Sequence, residues 1–280
     1  MGDIVMFERI FILLIIISIL LVSSCSGGEM ENKKETYNNL KDVPIKAWNK
    51  LSKEKIFFGH QSVGYNILDG VKDLINEYPD IKLKIEKTTD LKNTSEAVFM
   101  HSEVGQNTDP KSKINDFKKK LESNIGKNVD IAALKLCYID INRKTDVDQL
   151  FNEYKIEIEK IKKKFPNLKI IHFTEPLKIN ETGWKTTIKK IFGREIDSIA
   201  DNMKRCQYNE ILKKEYMGKE PVLDIAQIES TFSDGRRSSF EKDGKLYYSL
   251  VPEYTYDGGH LNAIGRKKVA EQFLLLLVNI

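Results

Sequence analysis

The 280-residue chain has three cysteines, Cys25, Cys137 and Cys206, too few for a disulfide framework, so any fold must rest on its apolar core. It has no apolar run of membrane-spanning length. The longest, residues 10–22, is unbroken except at Ser18 and covers about 13 positions, against the roughly 20 that a spanning helix needs. Charge of one sign is not in excess either: 45 lysines and arginines face 41 acids, a formal charge of +4. Lysine clusters occur at 118–120 and 162–164. Both fall in segments with apolar residues at helical spacing, so they read as solvated helix faces, and no nucleic-acid partner is expected. There is no internal repeat and no low-complexity tract. What remains is enough chain for one α/β domain of about 240 residues.

The N-terminal apolar run is an address rather than part of that domain. Its length suits the core of a signal peptide. Val22-Ser23-Ser24-Cys25, directly after it, resembles the lipobox of bacterial lipoproteins, in which the cysteine is lipidated and becomes the mature N-terminus. The resemblance implies a signal peptide over residues 1–24 and a palmitate-type lipid anchor on Cys25. An uncleaved membrane anchor with a chance cysteine is the other reading. Both hold the rest of the chain at a membrane, outside the cytoplasm. Removing residues 1–24 takes away Arg9, Asp3 and Glu8 and moves the formal charge from +4 to +5. Residues 25–42 are polar without apolar periodicity and read as a tether, which leaves 43–280 as the domain.

From there short apolar runs alternate with longer amphipathic ones. Ile56-Phe57-Phe58 reads as a buried strand ending at Gly59, and Leu68, Val71, Leu74 and Ile75 follow at helical spacing. Ile81, Leu83 and Ile85 alternate as a strand, and residues 97–100 read as a further extended piece. Asp109-Pro110 opens a helix through Leu121, with proline at a tolerated first-turn position. Residues 130–137 read as a buried parallel strand, 145–165 as a helix, 168–173 as a strand, 187–217 as mainly helical and 221–225 as a strand. A turn-rich insertion covers 230–256, and a last helix begins near Asn262. Strand–helix alternation of this length predicts a three-layer α/β/α sandwich around a central parallel sheet, of flavodoxin-like kind. The C-terminal ends of parallel strands open onto one edge, where ligands bind. Ser62, His101, Gly105, Tyr138, Asp140, Glu175 and the turn Asp257–His260 are expected to gather there.

Two motifs carry chemistry. Asp257-Gly258-Gly259-His260-Leu261-Asn262 places a carboxylate three residues before an imidazole on a glycine-rich turn that opens a helix, so the acid can hold one ring nitrogen while the other faces a nucleophile. Aspartate, glycine and asparagine are also ordinary turn residues. Gly59-His60-Gln61-Ser62-Val63-Gly64 puts a hydroxyl at a strand-to-helix turn, beside the N–H groups of the helix start. A serine in that place is often only a helix cap. The two motifs explain each other as nucleophile and base.

Together with Ala263-Ile264-Gly265, the C-terminal string resembles the last block of the SGNH (GDSL-type) hydrolases, and the order of early serine and late Asp-x-x-His matches that family. The resemblance implies an acyl-transfer triad of Ser62, Asp257 and His260 that needs no cofactor. The strand ending Cys137-Tyr138-Ile139-Asp140 is similar to the family's third block, Gly-x-Asn-Asp, but Ile139 stands where an asparagine donates to the oxyanion. Gly105, in Ser102-Glu103-Val104-Gly105-Gln106-Asn107, is similar to the second-block glycine, so the N–H groups of Ser62 and Gly105 are the implied donors. Gln61 and Asn107 are candidate replacements for the lost side chain, with a neutral His101 as a further one. A missing donor costs roughly 3–4 kcal/mol in a site built around it.

The implied activity is removal of an acyl group, acetate first, from a carbohydrate or cell-envelope ester. Two alternatives stand beside it. One is a non-catalytic surface lipoprotein that uses the fold as a binding module. The other is a metal-dependent hydrolase in which His60, His101, His172 and His260 converge with Asp140 or Asp257. Asp224 and Glu229 follow a strand and either line the pocket or serve as caps and lysine partners. Trp184 is a candidate sugar platform or a packing residue.

Overall fold

A computed structural model describes residues 35–89, 97–180 and 197–280. The expectations for residues 1–24, Cys25, Trp184 and the first part of the 187–217 helix fall outside these residues. Residues 37–280 form one compact unit. Among the described residues no helix is long and apolar enough to cross a membrane.

Six strands form the central sheet: β1 Ile56–His60, β2 Ile85–Lys87, β3 Phe99–Glu103, β4 Ile131–Leu134, β5 Lys169–Phe173 and β6 Val222–Leu223. Their spatial order is β2-β3-β1-β4-β5-β6, and every pairing is parallel. The chain fills one half of the sheet after β1 and the other from β4 onward. The switch point therefore lies between β1 and β4, the place where sheets of this kind bind ligands at the strands' C-terminal ends.

Alternation along the strands feeds two cores. Ile56, Phe58, Phe99, Ile131, Ala133, Ile171 and Phe173 face one side. There they meet α1 (Ile45–Leu51), α2 (Val63–Glu77) and the C-terminal helix α7 (Ala263–Asn279). Phe57, Met100, Ala132, Leu134 and Ile170 face the other side. There they meet α3 (Pro110–Lys120), α4 (Val147–Lys164) and α5 (Asp197–Tyr216). With both faces covered, the strands carry continuous apolar runs rather than polar alternation. The expected three-layer sandwich is the observed fold. The insertion after β6 holds a short helix α6 (Ile225–Glu229) and an antiparallel hairpin of β7 (Ser239–Lys242) and β8 (Lys245–Tyr248).

Two expectations need correction. The domain starts before residue 43. Tyr37 exchanges backbone hydrogen bonds with the Asn279 side chain at 2.9 Å each way, and Leu40, in a 3-10 turn capped by Asn39, is buried. Two apolar side chains sufficed to dock a segment whose polar composition suggests a tether. Second, Ile81 and Leu83 are not in a strand. Pairing begins only at Ile85, while Ile81 is buried as an anchor of the loop behind Tyr78. Alternation recorded burial there, not a ladder.

Candidate active site

Ser62 sits between β1 and α2 with φ +49° and ψ −108°, a conformation that non-glycine residues rarely take and that costs of order 1–3 kcal/mol. Its side chain makes no cap bond to α2. Instead Ser62 Oγ lies 2.5 Å from His260 Nε2. The tight elbow requires Gly64, since a Cβ there would stand 2.4 Å from the His60 ring. Beneath it, the fully buried Lys135 donates to the Gln61 carbonyl at 2.9 Å and to Cys137 Sγ at 3.3 Å.

His260 is held by its own turn. Asp257 Oδ2 is 2.6 Å from His260 Nδ1, while Asp257 Oδ1 accepts the N–H groups of Gly259 (3.0 Å) and His260 (2.8 Å). Thr255 Oγ1 donates to the His260 carbonyl at 2.6 Å and accepts Gly258 N–H at 2.9 Å. Asn262 caps α7 by accepting from Ile264 and Gly265 N–H. One long-range bond ties the turn to α2, the helix after Ser62, from Leu261 N–H to Asn66 Oδ1 at 3.1 Å. Partial burial works against the Asp257 charge, but the His260 ring and the two N–H donors outweigh it and hold the carboxyl down to about 2. An ionised carboxylate only accepts, so Nδ1 carries the ring proton and Nε2 is left as acceptor for the Ser62 hydroxyl. The Tyr138 hydroxyl stands 3.3 Å from Nδ1 and 3.5 Å from Nε2; burial, then Asp257, pushes it up to about 12 and keeps it protonated.

The three oxyanion candidates separate on donor inventory. Gly105 has φ +52° and no room for a Cβ, which would stand 2.4 Å from Lys113 N, but its N–H donates to Asp116 Oδ2 at 3.0 Å and is committed. Gln61 Nε2 donates to the carbonyls of Val104 (3.0 Å) and Gly105 (2.6 Å), which uses both amide protons. The expectations for Gly105 and Gln61 are thereby corrected: both support the loop beside the elbow. Asn107 is different. Its Oδ1 accepts from Lys113 Nζ at 2.9 Å, and its Nδ2 has no partner among the described residues. The Ser62 N–H likewise has none there. Ile139 is 44% exposed and contributes no polar atom.

The four histidines do not converge. His60 Nε2 pairs with His101 Nδ1 at 3.0 Å; burial first, then Lys135, lowers His60 to about 2, and burial lowers His101 to about 4, so the pair is neutral. His101 thus faces His60. His172 is taken by the Tyr154 hydroxyl (2.7 Å) and Glu220 (3.1 Å) and stacks on Tyr216. Among the described residues no three metal-ligating side chains cluster. Asp224 caps α6 and pairs with Lys213, and Glu229 is buried against Leu177 N–H, so both serve as caps and backbone partners.

Sequence reading missed the buried lysines under the site, Lys113 and Lys135, which lie in the interior with Arg205, Asp140, Glu175 and Glu229. Lys113 Nζ and Asp140 Oδ2 are 2.6 Å apart with both side chains fully buried. Arg205 Nε donates to the Tyr138 carbonyl at 2.7 Å. A signal was present. Lys135 interrupts an otherwise apolar strand, and Lys113 shares a helix face with Ile114 and Phe117.

No family model matches the sequence, and no curated protein does. Solved structures do. A protein from Parabacteroides merdae described as a GDSL-like lipase matches with a TM-score of 0.51 at 10% identity, over 82% of this chain and 97% of its own. A GDSL-like lipase from Bacteroides thetaiotaomicron matches with a TM-score of 0.47 at 16% identity, over 81% and 89%. An acetyl xylan esterase matches with a TM-score of 0.45 at 17% identity, over 79% and 98%. The chain has the fold of the SGNH/GDSL hydrolases, in a divergent sequence.

Proposed function

We propose that this protein is a serine ester hydrolase. The observation that carries the reading is the continuous relay Ser62 Oγ–His260 Nε2 (2.5 Å) and His260 Nδ1–Asp257 Oδ2 (2.6 Å), assembled from residues nearly two hundred positions apart. In the reaction Ser62 Oγ attacks the ester carbonyl carbon as its proton passes to His260 Nε2. Asp257 stabilises the imidazolium through Nδ1, and Ser62 N–H faces the developing oxyanion. Collapse expels the alcohol, which takes the proton from Nε2. Water, deprotonated by the same nitrogen, then releases the acid and restores Ser62.

The substrate of this reading is a small acyl ester, such as an acetate, on a carbohydrate or cell-envelope polymer. Its support is an open site flanked by an aromatic surface. Tyr256 is 69% exposed and lies parallel to the His260 ring at 6.1 Å, the posture of a platform for a sugar face. The lipobox-like residues ending at Cys25 support an anchored, extracytoplasmic placement, where such polymers occur.

The test uses a fluorophosphonate probe together with p-nitrophenyl acetate turnover. Wild type is labelled and active; Ser62→Ala and His260→Ala lose labelling and at least 10³-fold in kcat. Labelling that survives in Ser62→Ala refutes the nucleophile. A wild type that neither labels nor turns over favours the binding module.

A further inference from the structure

Building on the esterase reading, we propose that Asn107 Nδ2 is the side-chain oxyanion donor, and that the buried Lys113–Asp140 pair is the device that aims it. The proposal answers the loss of an asparagine at position 139 with one on a different loop, held by an ion pair.

A lysine ammonium has three donors and no acceptor. Lys113 Nζ lies 2.9 Å from the Asn107 side chain, so the amide oxygen must face it, and the planar group must turn its NH2 the other way. Gln61 is removed on the same ground: both of its amide protons go to carbonyls, so only its oxygen is left to face elsewhere. An outward oxygen repels an oxyanion; an outward NH2 binds one.

The Lys113 head is itself fixed. It has zero exposure and reaches Asp140 Oδ2 at 2.6 Å. Asp140 Oδ2 also accepts Cys137 N–H at 2.7 Å, and its Oδ1 accepts Thr108 N–H at 2.9 Å. Asp140 thus binds the residue after Asn107, the lysine that holds Asn107, and Cys137 in the segment that follows β4. Thr108 adopts φ +70°, so the loop carries strain that these bonds hold in place. Gln61, next to the nucleophile, grips the same loop at Val104 and Gly105. Gln61 thus links the loop that leads to Asn107 to the elbow bearing Ser62, and the Asn107 amide protons have no partner among the described residues. Asn107 itself is exposed, so a substrate oxygen can reach it.

The experiment compares kcat and KM on p-nitrophenyl acetate for the full-length protein and its Asn107→Ala, Asn107→Asp and Lys113→Met variants, with side-chain amide NMR of Asn107. Asn107→Ala is expected to lower kcat by 10²–10³-fold with KM nearly unchanged. Asn107→Asp keeps the Lys113 contact but replaces the NH2 with a second oxygen, so it is expected to fall at least as far. A purely structural Asn107 predicts the reverse order. Lys113→Met is expected to lower kcat by at least tenfold and to shift the Asn107 amide pair toward free-asparagine values. Combined with Asn107→Ala, it should add little. Asn107→Ala within threefold of wild type, or Asn107→Asp more active than Asn107→Ala, overturns the donor assignment. An unmoved amide pair in folded Lys113→Met overturns the positioning role. If Lys113→Met does not fold, the two Asn107 variants, at an exposed position, decide alone. A wild type that is inactive and unlabelled at Ser62 refutes the esterase reading and with it the donor, and the amide signals then judge the positioning separately.

Discussion

In the turn from Thr255 to Asn262 the bonds that fix Asp257 and the His260 backbone are local, with longer contacts to Asn66, Ile179, Tyr138 and Ser62, whereas the elbow at Ser62 is held through Gln61 by residues 43 to 74 positions away. The His260 turn is exposed: the side chains of His260 and Asp257 retain 30% and 41% of their accessible surface. The elbow rests on a fully buried lysine and carries a strained backbone. A base must reorganise little but meet solvent, and a local, self-bonded turn does that. A nucleophile on a strained turn needs a rigid floor, and only tertiary structure supplies one.

The contrast predicts that damage to the turn costs activity without stability. Asp257→Asn is the largest expected effect. An asparagine amide would donate where Nδ1 must donate, so the wrong tautomer is favoured and kcat should fall by about 10⁴-fold, as when the aspartate of a serine-protease triad is replaced. The melting temperature should fall by only a few degrees, because Asp257 is 41% exposed and solvent screens the interactions that hold its charge. Measured kcat together with a thermal melt checks both halves. A large drop in stability would show that the turn is part of the floor after all.

This difference also explains what was legible in the sequence. The His260 turn could be read from nine consecutive residues because its bonds are local. The parallel sheet was legible because both faces of β1, β4 and β5 are covered, which leaves apolar runs such as Ile56-Phe57-Phe58. The oxyanion side was not legible. Gly105 and Gln61 have suitable groups at suitable positions, but their protons are spent on Asp116, Val104 and Gly105, partners fixed only by the fold. Lys113 and Lys135 were passed over because lysine is usually solvated. The start of the domain at Tyr37 was missed because it depends on two docked side chains, Tyr37 and Leu40, and on Asn279 at the far end of the chain.

The buried floor should respond to pH through Glu175. Glu175 is fully enclosed and neither carboxyl oxygen has a hydrogen-bond partner; burial first, then Asp140, raises it from 4.5 to about 8. Between those values the folded state keeps a proton that the unfolded state releases. The favourable contribution is therefore complete below about pH 4.5 and is lost as pH rises through about 8. Glu175→Gln, neutral at every pH, should be more stable than wild type at pH 8, by on the order of a few kcal/mol, with little difference at pH 4.5. Urea melts at the two pH values give the comparison; equal gaps would mean that Glu175 is ionised in the folded protein.

The smallest effect concerns the strain at Ser62 itself. Ser62→Ala and Ser62→Gly both remove the nucleophile, and both should lose activity alike. They differ only in what the backbone tolerates at φ +49°. Alanine keeps the Cβ and the strain. Glycine releases it, at a partial cost in unfolded-chain entropy. Ser62→Gly should therefore be more stable than Ser62→Ala by about 1 kcal/mol, a shift of a few degrees or less in melting temperature for a domain of this size. If the two melt together, the elbow is not strained, and the buried lysine beneath it is holding a relaxed turn rather than a loaded one.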